Sequence, residues 1–357
     1  MTQSDGEQRA GGRRRFDHAR EYRRVRRRRL ETIVEVREPL VLITQIQRSG
    51  GTLLTRLFDG HPALHVHPGE LHIGGRRKLI WPDLRLADDP EAWFELLFEG
   101  KLGAYSKSGY SKAPRHLERR TDYDVAPFMF LHSLQRDIFL RCVAERRIES
   151  SRDIFDCYLT SLFNAWLDNQ NLYGSDKKAV VAFAAGFGSK PGNLEQFFAV
   201  YPDGIVLSIV RDPRGWLVSA QRYKEKYADV DLAVGQWRRS TSATLDAKAR
   251  WPERVVVLSY EDLVLDTERV MAVIADRIGI PFSPVLLRPT FNSCPIRANS
   301  SEPVVSHGVL ADRATAHRSA LDGETSSRVE RAVGDLYEQA LSVIAGESAS
   351  RVSAAGS

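Results

Sequence analysis

The hydrophobic positions of this chain form short continuous runs that alternate with segments in which apolar residues recur every three or four positions. The continuous runs predict strands buried on both faces, and the longer period predicts amphipathic helices. Their alternation predicts an α/β fold of three layers, a central parallel sheet of about five strands with helices on both faces. The strands are predicted near 41–46, 63–66, 179–183, 205–210 and 254–260.

The predicted helices follow these strands or fill an insertion of helices and loops at about 74–175. Within that insertion, residues 151–172 carry one apolar stripe, which is typical of a helix that faces a core. The segment 74–125 is rich in basic and aromatic residues and is expected to line a substrate pocket. Helices are predicted at 53–58, 127–149, 151–172, 194–198, 212–219, around Trp237, at 264–278 and at 323–345.

The length of 357 residues allows one large α/β domain with an insertion. We predict a basic arm at 1–30, disordered or helical, one domain at 38–346 and a flexible tail at 347–357. No apolar run approaches the roughly 18 residues that indicate a membrane span, so no transmembrane segment is predicted. The oligomeric state is left open.

Positive charge is concentrated at the start of the chain. The net charge is only +5, but ten arginines fall within 13–29. Such a segment is either a solvated arm or a contact for an anionic membrane surface or a nucleic acid, and the sequence does not choose between them.

The three cysteines, Cys142, Cys157 and Cys294, are odd in number and widely separated, and they form no C-x-x-C pair. We therefore expect neither a disulfide framework nor a cysteine metal site. This pattern favours a reducing compartment, and we predict a cytoplasmic location.

The first strand leads into R-S-G-G-T at 48–52 and then into a helix. A strand, a glycine turn and a helix N-terminus present backbone N–H groups to an anion, so we interpret this segment as a phosphate-binding loop. The nucleotide-hydrolase pattern G-x-x-x-x-G-K-[ST] matches only at Gly50 and Thr52, and Arg48 supplies the positive charge in place of its lysine. A turn that needs glycine for packing alone is the alternative.

A second candidate site follows the fourth strand. Arg211 stands at the strand's carboxyl end, where parallel sheets bind ligands. Asp212 suits a helix cap and Pro213 a first helical position, which places Ser219 about two turns into the next helix. Arginine can bind a phosphate with two hydrogen bonds. A capped helix beside a surface arginine is the alternative.

Together these segments resemble the bacterial sulfotransferases that use 3′-phosphoadenosine 5′-phosphosulfate (PAPS), which have a P-loop-like fold. Residues 48–54 resemble the family's loop for the 5′-phosphosulfate, and Arg211 with Ser219 resembles its pair for the 3′-phosphate. The resemblance covers 40–301 and excludes both tails and residues 74–150. Further matching segments are G-S-K-P at 188–191, Y-E-D-L at 260–263, P-T-F-N at 289–292 and R-A-N-S-S at 297–301.

The resemblance implies transfer of a sulfonate from PAPS to a hydroxyl of a carbohydrate, lipid or small metabolite. It gives Arg48 the role of neutralising charge on the departing phosphate. Glu70 is the first candidate for the base, since related carbohydrate and tyrosine sulfotransferases place a glutamate there, and His67 is the second. Pairing with Arg76 or Arg77 is the structural alternative for Glu70. The predicted donor-binding residues are Arg48, Ser49, Gly50, Gly51, Thr52, Leu53, Lys190, Arg211, Ser219, Tyr260 and Arg297.

One position departs from the family pattern, and two other functions and a metal site are alternatives. Many members have threonine or serine at the position of Gly51, so a hydroxyl contact is lost there. A P-loop kinase or nucleotide hydrolase would need the missing lysine and a strand ending in aspartate for magnesium. A non-catalytic nucleic-acid-binding protein would leave the loop and Arg211 unexplained. No metal is predicted, although His61, His65, His67 and His72 lie close in sequence to Glu70.

Overall fold

The computed structural model contains two compact units, residues 1–33 and 34–357. In the first unit, helix α1 (His18–Glu31) begins after Asp17, whose side chain accepts a hydrogen bond from the backbone N–H of Arg20 at 3.0 Å. The residues that the structure describes are 17–72, 80–103, 105, 128–296, 308–315 and 319–352.

The second unit is built on one sheet of five strands that all run parallel, in the order β2-β3-β1-β4-β5. This confirms the predicted α/β fold. The strands are β1 (Leu40–Ile43), β2 (Leu64–Glu70), β3 (Ala179–Phe183), β4 (Ile205–Val210) and β5 (Val255–Ser259). A separate two-stranded antiparallel ribbon contains β6 (Thr290–Phe291) and β7 (Cys294–Pro295).

Each central strand buries side chains on both faces, which explains why its apolar run is continuous. In β1, Leu40 and Leu42 belong to one hydrophobic cluster, whereas Val41 and Ile43 belong to the other. Successive side chains of a strand point to opposite faces, so the two clusters are the two layers of packing between sheet and helices. The three-layer arrangement is thereby confirmed.

The helices of the second unit fall on both sides of this sheet. None of them, within the described ranges, combines the length and the apolar character needed to cross a bilayer. They are α2 (Gly51–Phe58), α3 (Pro90–Leu97), α4 (His132–Glu145), α5 (Ser151–Ala165), α6 (Asn193–Val200), α7 (Pro213–Gln221), α8 (Val230–Arg250), α9 (Tyr260–Leu265), α10 (Thr267–Arg277) and α11 (Gly323–Val352). Short 3₁₀ helices occupy Glu225–Ala228, Pro284–Leu287 and Ala311–Ala314.

Two elements are longer than the sequence predicts. Strand β2 continues to Glu70, because its pairing with β3 shifts register after Val66 and resumes where Glu70 lies opposite Phe183. The proline and glycine between these positions occupy the irregular part, so they do not end the strand. Helix α11 continues past 345 to Val352, and an ion pair between Lys248 of α8 and Glu347 holds the beginning of this extension.

The prediction for the cysteines is wrong for one pair. Cys142 of α4 and Cys157 of α5 form a disulfide, with their Cα atoms 5.6 Å apart, while Cys294 is free and exposed. A short connection brings the two helices against each other, so residues 15 positions apart in sequence meet in space. Sequence separation therefore gave no sign of this bond.

The strand order fixes where a ligand site can form. The chain winds from β1 toward β2 and β3 on one side and toward β4 and β5 on the other. Loops that leave β1 and β4 therefore diverge and open a crevice at the carboxyl ends of the strands, which is where doubly wound sheets bind ligands. Residues 44–50 follow β1 and residues 211–212 follow β4 at this crevice.

Candidate functional site

The β1–α2 loop (residues 44–50) turns back tightly before it enters helix α2. Arg48 and Gly50 both have positive φ angles, 72° and 97°. A left-handed conformation is uncommon for arginine and indicates a constrained loop. No side chain caps the N-terminus of α2, because the capping position is Gly50 itself. Uncapped N–H groups after a tight turn form a ready site for an anion.

Close packing requires glycine at two successive positions, Gly50 at the end of this loop and Gly51 at the start of α2. A Cβ atom on Gly50 would lie 2.6 Å from Cδ2 of Tyr260, and one on Gly51 would lie 2.5 Å from Cε2 of Phe183. The Gln45 side chain crowds Gly51 as well, with its Nε2 atom 2.0 Å from the same Cβ position. The departure from serine or threonine at Gly51 thus has a steric cause beyond the loss of a hydroxyl, which the sequence alone did not indicate.

The side chains of the loop suit a phosphate ligand. Ser49 is buried, with only 1% of its surface exposed, and among the described residues its hydroxyl has no hydrogen-bond partner. A buried polar atom without a partner is unusual, and a bound phosphate oxygen would satisfy it. Thr52 and Leu53 follow on the first turn of α2, both half-buried. The cradle therefore fits the 5′-phosphosulfate end of the predicted donor.

The two predicted anion sites meet at one point of the crevice. Arg48 donates from Nε to the hydroxyl of Ser219 on α7 at 3.0 Å, and Arg211 donates from Nη1 to the carbonyl of Arg48 at 2.9 Å. Burial, and next the nearby charge of Arg211, lowers the pKa of the Arg48 guanidinium. Two guanidinium groups held together in a partly buried crevice produce a strong attraction for an anion with several charges.

Tyr260 forms the floor between these residues. Its ring lies under the guanidinium of Arg211, 4.2 Å from the centroid, and against Gly50. A second guanidinium hydrogen of Arg211 is donated to the carbonyl of Arg313 at 3.4 Å, so the 3₁₀ helix near 311 also reaches the site. Arg48 is further held over the ring of Tyr223, at 5.4 Å. The sequence had not assigned Tyr223 or Arg313 to the site.

Glu261 lies directly behind this floor. One of its carboxylate oxygens accepts a hydrogen bond from the backbone N–H of Asp212 at 3.2 Å. Burial, the largest influence, raises the pKa of the Glu261 carboxyl from 4.5 to about 7, against the opposing effect of Arg211. The folded protein therefore keeps this proton up to about pH 7, whereas the unfolded chain releases it near 4.5.

We expect the Glu261→Gln variant to change the pH dependence of stability. Below pH 4.5 the protonated carboxyl contributes fully to the free energy of unfolding. That contribution is lost as the pH rises through 7, since the buried group must then ionise. Glutamine cannot ionise, so between pH 5 and pH 8 the melting temperature of the variant should rise relative to that of the wild type. We expect a relative rise of about 5 °C, from ~1.4 kcal/mol per pKa unit and ~2 °C per kcal/mol.

Differential scanning calorimetry at pH 5 and 8 measures this change, with the exposed Glu268→Gln on α10 as control. Asp156, whose pKa is also raised by burial, to about 6, is present in both proteins and cancels in the comparison. Parallel pH curves for Glu261→Gln and wild type would show that the carboxyl is ionised in the folded protein.

Two predicted donor-binding residues are less closely joined to this group. Lys190 is exposed in the loop after β3. The loop itself is tied to the β1–α2 loop, because the backbone N–H of Gly188 donates to the hydroxyl of Thr44 at 2.8 Å. Arg297 lies outside the described residues.

A cavity of about 120 Å³ opens beside the β1–α2 loop, on the side of α2. Thr52 forms one wall, and Glu70, at the end of β2, forms another. The Glu70 side chain is 38% exposed, and its Oε2 atom lies 4.0 Å from Nε2 of His72. Nζ of Lys101 lies 2.7 Å from the same His72 nitrogen. The predicted base therefore faces a space that adjoins the donor loop.

His67, the second candidate base, does not reach this cavity. It is fully buried; its Nε2 atom lies 3.0 Å from Oε1 of Glu99 and its Nδ1 atom lies 3.1 Å from the carbonyl of Gly69. Glu99 is itself buried and also accepts hydrogen bonds from the hydroxyl of Tyr158 and the backbone N–H of His72. The geometry gives His67 a structural place in this network, so Glu70 is the better placed of the two candidate bases.

His61 and His65 each make their own contacts, away from Glu70. His61 contacts the carbonyl of Pro281 through Nε2 at 2.9 Å. His65 packs against the ring of Phe163, with 4.9 Å between ring centroids, and burial lowers the pKa of its imidazole to about 3. Within the described ranges, no three histidine, cysteine or acidic side chains are arranged to hold a metal ion.

Sequence reasoning missed several residues of the cavity. Arg56, four positions after Thr52, shares its helix face and also lines the cavity, so the helical period could have indicated it. Glu99 and Lys101 lie outside the segments that resemble the family, and no motif marked them. His72 was considered only as a metal ligand.

One family profile and several solved structures match this chain. The profile of the sulfotransferase family matches residues 39–284. The comparison with curated proteins gives no match. Among solved structures, the sulfotransferase domain of the olefin synthase from Synechococcus PCC 7002 is 23% identical, covering 84% of this chain and 96% of that one, with a TM-score of 0.49.

Two further solved structures are similar at lower identity. Sulfotransferase STF9 from Mycobacterium avium is 16% identical over 90% of this chain and 80% of that one, with a TM-score of 0.41. A retinol dehydratase, solved with androsterone and the inactive cofactor PAP, is 15% identical over 88% of this chain and 85% of that one, with a TM-score of 0.38. The assignment depends on the family profile, which spans more than half of the chain and includes the β1–α2 loop, Glu70, Arg211 and Ser219. The chain belongs to the sulfotransferase family.

Proposed function

We propose that this sulfotransferase takes its sulfonate from PAPS, bound across the β1–α2 loop, and passes it to a hydroxyl group in the adjoining cavity. One observation carries the proposal. Arg48 donates a hydrogen bond to the hydroxyl of Ser219, and its carbonyl accepts one from Arg211. The residues expected to bind the sulfonate and the 3′-phosphate therefore form a single cluster.

The bound donor supplies an activated sulfonate, whose link to the 5′-phosphate breaks as the acceptor oxygen bonds to sulfur. The protein's task is to position groups and to stabilise charge, as in phosphoryl transfer. The N–H groups at the start of α2 and the Ser49 hydroxyl hold the phosphate. Arg48 neutralises the charge that develops on the leaving oxygen. Arg211 and Ser219 bind the 3′-phosphate.

Glu70 is proposed to remove the proton of the acceptor hydroxyl. Its carboxylate lies at the end of β2, where backbone pairing with β3 fixes it, and it faces the same cavity as Thr52. A base in this position can reach a hydroxyl whose oxygen approaches the sulfur from the side opposite the leaving phosphate. The acceptor is proposed to be a small metabolite, a carbohydrate or a lipid.

The alternative of a nucleotide kinase or hydrolase is disfavoured by the loop. Gly51 occupies the position of the lysine, and Phe183 and Gln45 exclude any side chain there. Strand β5 ends at Ser259, which caps α9 by accepting from the backbone N–H of Asp262 at 3.1 Å. A serine that caps a helix thus stands where nucleotide hydrolases place the aspartate that holds magnesium.

The partner of the arginine-rich segment and the cellular location are not tested by the structure. The arginine-rich segment 13–29, which includes most of α1, is proposed to contact an anionic membrane surface or a nucleic acid. The cytoplasmic location was inferred from cysteines without partners, and the bond between Cys142 and Cys157 removes that basis.

Thermal unfolding with 3′-phosphoadenosine 5′-phosphate (PAP), AMP and ATP tests the donor assignment. At 100 times its dissociation constant, PAP should stabilise the protein by about 2.7 kcal/mol. AMP lacks the 3′-phosphate that Arg211 and Ser219 are proposed to bind, so at equal concentration it should stabilise far less. Arg211→Ala should remove the advantage of PAP over AMP. Equal stabilisation by PAP and AMP would refute the donor assignment.

A further inference from the structure

The cavity beside the β1–α2 loop carries more positive than negative charge. Arg56, Lys101 and Glu70 contribute side chains to its wall, two cationic and one anionic. Arg56 is only 2% exposed, donates from Nη2 to the carbonyl of Pro68 at 2.5 Å and stacks on the ring of Phe291. It therefore contributes a fixed positive charge to the inner wall.

Lys101 lies on the outer part of the same cavity, on an exposed turn after α3. Its ammonium group contacts the imidazole nitrogen of His72 at 2.7 Å. Among the described residues it forms no ion pair with a carboxylate. An imidazole nitrogen can accept only one of the three N–H groups of a lysine, so the remaining donors of Lys101 stay available for a ligand in the cavity.

The position of Lys101 is fixed from beneath by the buried Glu99, two residues earlier in the same turn. One oxygen of Glu99 accepts from the backbone N–H of His72 at 2.8 Å, and the other contacts the hydroxyl of Tyr158 at 3.1 Å. His67, in the irregular part of β2, contacts the same carboxylate. The turn that carries Lys101 is therefore clamped to the end of β2, which also carries Glu70.

We propose that the acceptor is a hydroxyl compound with its own anionic group, a carboxylate or a phosphate, which pairs with Lys101 while Arg56 strengthens the attraction. The proposal rests on the proposed function, since Glu70 must face the hydroxyl of the same molecule. The charges support it: Glu70 is needed for the proton, and Lys101, which forms no ion pair with a described carboxylate, remains to pair with a negative charge on the acceptor. A neutral acceptor would leave Lys101 without a role in binding.

Calorimetric titration of the PAP-saturated protein with matched pairs of small hydroxyl compounds tests the proposal. One pair is 3-hydroxybutyrate and its neutral amide, and the other is glycerol 3-phosphate and glycerol. The anionic member of at least one pair should bind at least about tenfold more tightly, as expected for a charge-assisted contact. The pair that shows the preference distinguishes a carboxylate from a phosphate.

Lys101→Met should reduce that preference to less than about threefold, while leaving the binding of PAP unchanged. Lys178→Met, which removes an exposed lysine away from the cavity, should keep the wild-type preference. Equal binding of charged and neutral members, no binding of either anionic compound, or an unchanged preference in Lys101→Met would each overturn the proposal. Failure of PAP to bind would instead refute the donor assignment. In that case, direct titration of the anions into the ligand-free protein would still test whether the cavity prefers an anionic acceptor.

Discussion

Replacing Arg48 by alanine is expected to lower kcat about 10²–10³-fold, as the loss of one preorganised donor to a developing oxyanion does in other enzymes. Arg48 is held on both sides, by the Ser219 hydroxyl at Nε and by the ring of Tyr223. These contacts fix the guanidinium before the donor binds, so no reorganisation is needed during transfer. The turnover of PAPS with any acceptor that the wild type sulfonates measures the effect.

Arg48→Lys separates charge from geometry. Lysine keeps the positive charge, but a point charge cannot reproduce the planar group that bonds Ser219 and stacks on Tyr223. We expect an activity between those of the wild type and the alanine variant. Arg239→Ala, on the exposed face of α8, is the matched control for the loss of an arginine. A kcat close to the wild-type value in Arg48→Ala, with a higher KM for PAPS alone, would restrict Arg48 to donor binding.

The sheet could be predicted from the sequence because burial on both faces leaves a simple pattern. Strands β1, β3, β4 and β5 are apolar at nearly all successive positions, and the two hydrophobic clusters divide those positions between the faces. The sequence also predicted that Arg48, in the loop after β1, and Arg211, at the end of β4, bind the donor. It did not predict that β1 and β4 are neighbours in the sheet, or that a hydrogen bond joins the two residues.

The acceptor side was beyond the same reasoning because it depends on contacts between distant segments. Glu99 contacts His67, His72 and Tyr158, and nothing in its neighbouring sequence indicates that it is buried. A histidine three residues before a proposed catalytic glutamate is a reasonable candidate base until such a partner is known. The disulfide between Cys142 and Cys157 has the same origin, since it depends on how α4 packs on α5.

Glu70→Gln is expected to reduce kcat about 10²–10⁴-fold, the usual contribution of a positioned general base. Glutamine preserves the size of the side chain and its place at the end of β2, opposite Phe183, but cannot take a proton at neutral pH. PAP binding should therefore stay at the wild-type level, because Glu70 lines the cavity beside the β1–α2 loop and is not among the residues proposed to bind the donor. Steady-state transfer and a parallel PAP titration distinguish these two effects.

The matched control is Glu95→Gln, which removes an exposed carboxylate from α3 without touching the cavity. Near-normal transfer by Glu70→Gln would contradict the assignment and direct attention to His72, whose Nε2 atom lies 4.0 Å from the Glu70 carboxylate. His72→Asn would then carry the large loss. If both variants lose activity, we infer that Glu70 is the base and that His72, whose Nε2 atom lies near both the Glu70 carboxylate and Lys101, helps to position the groups of this cavity.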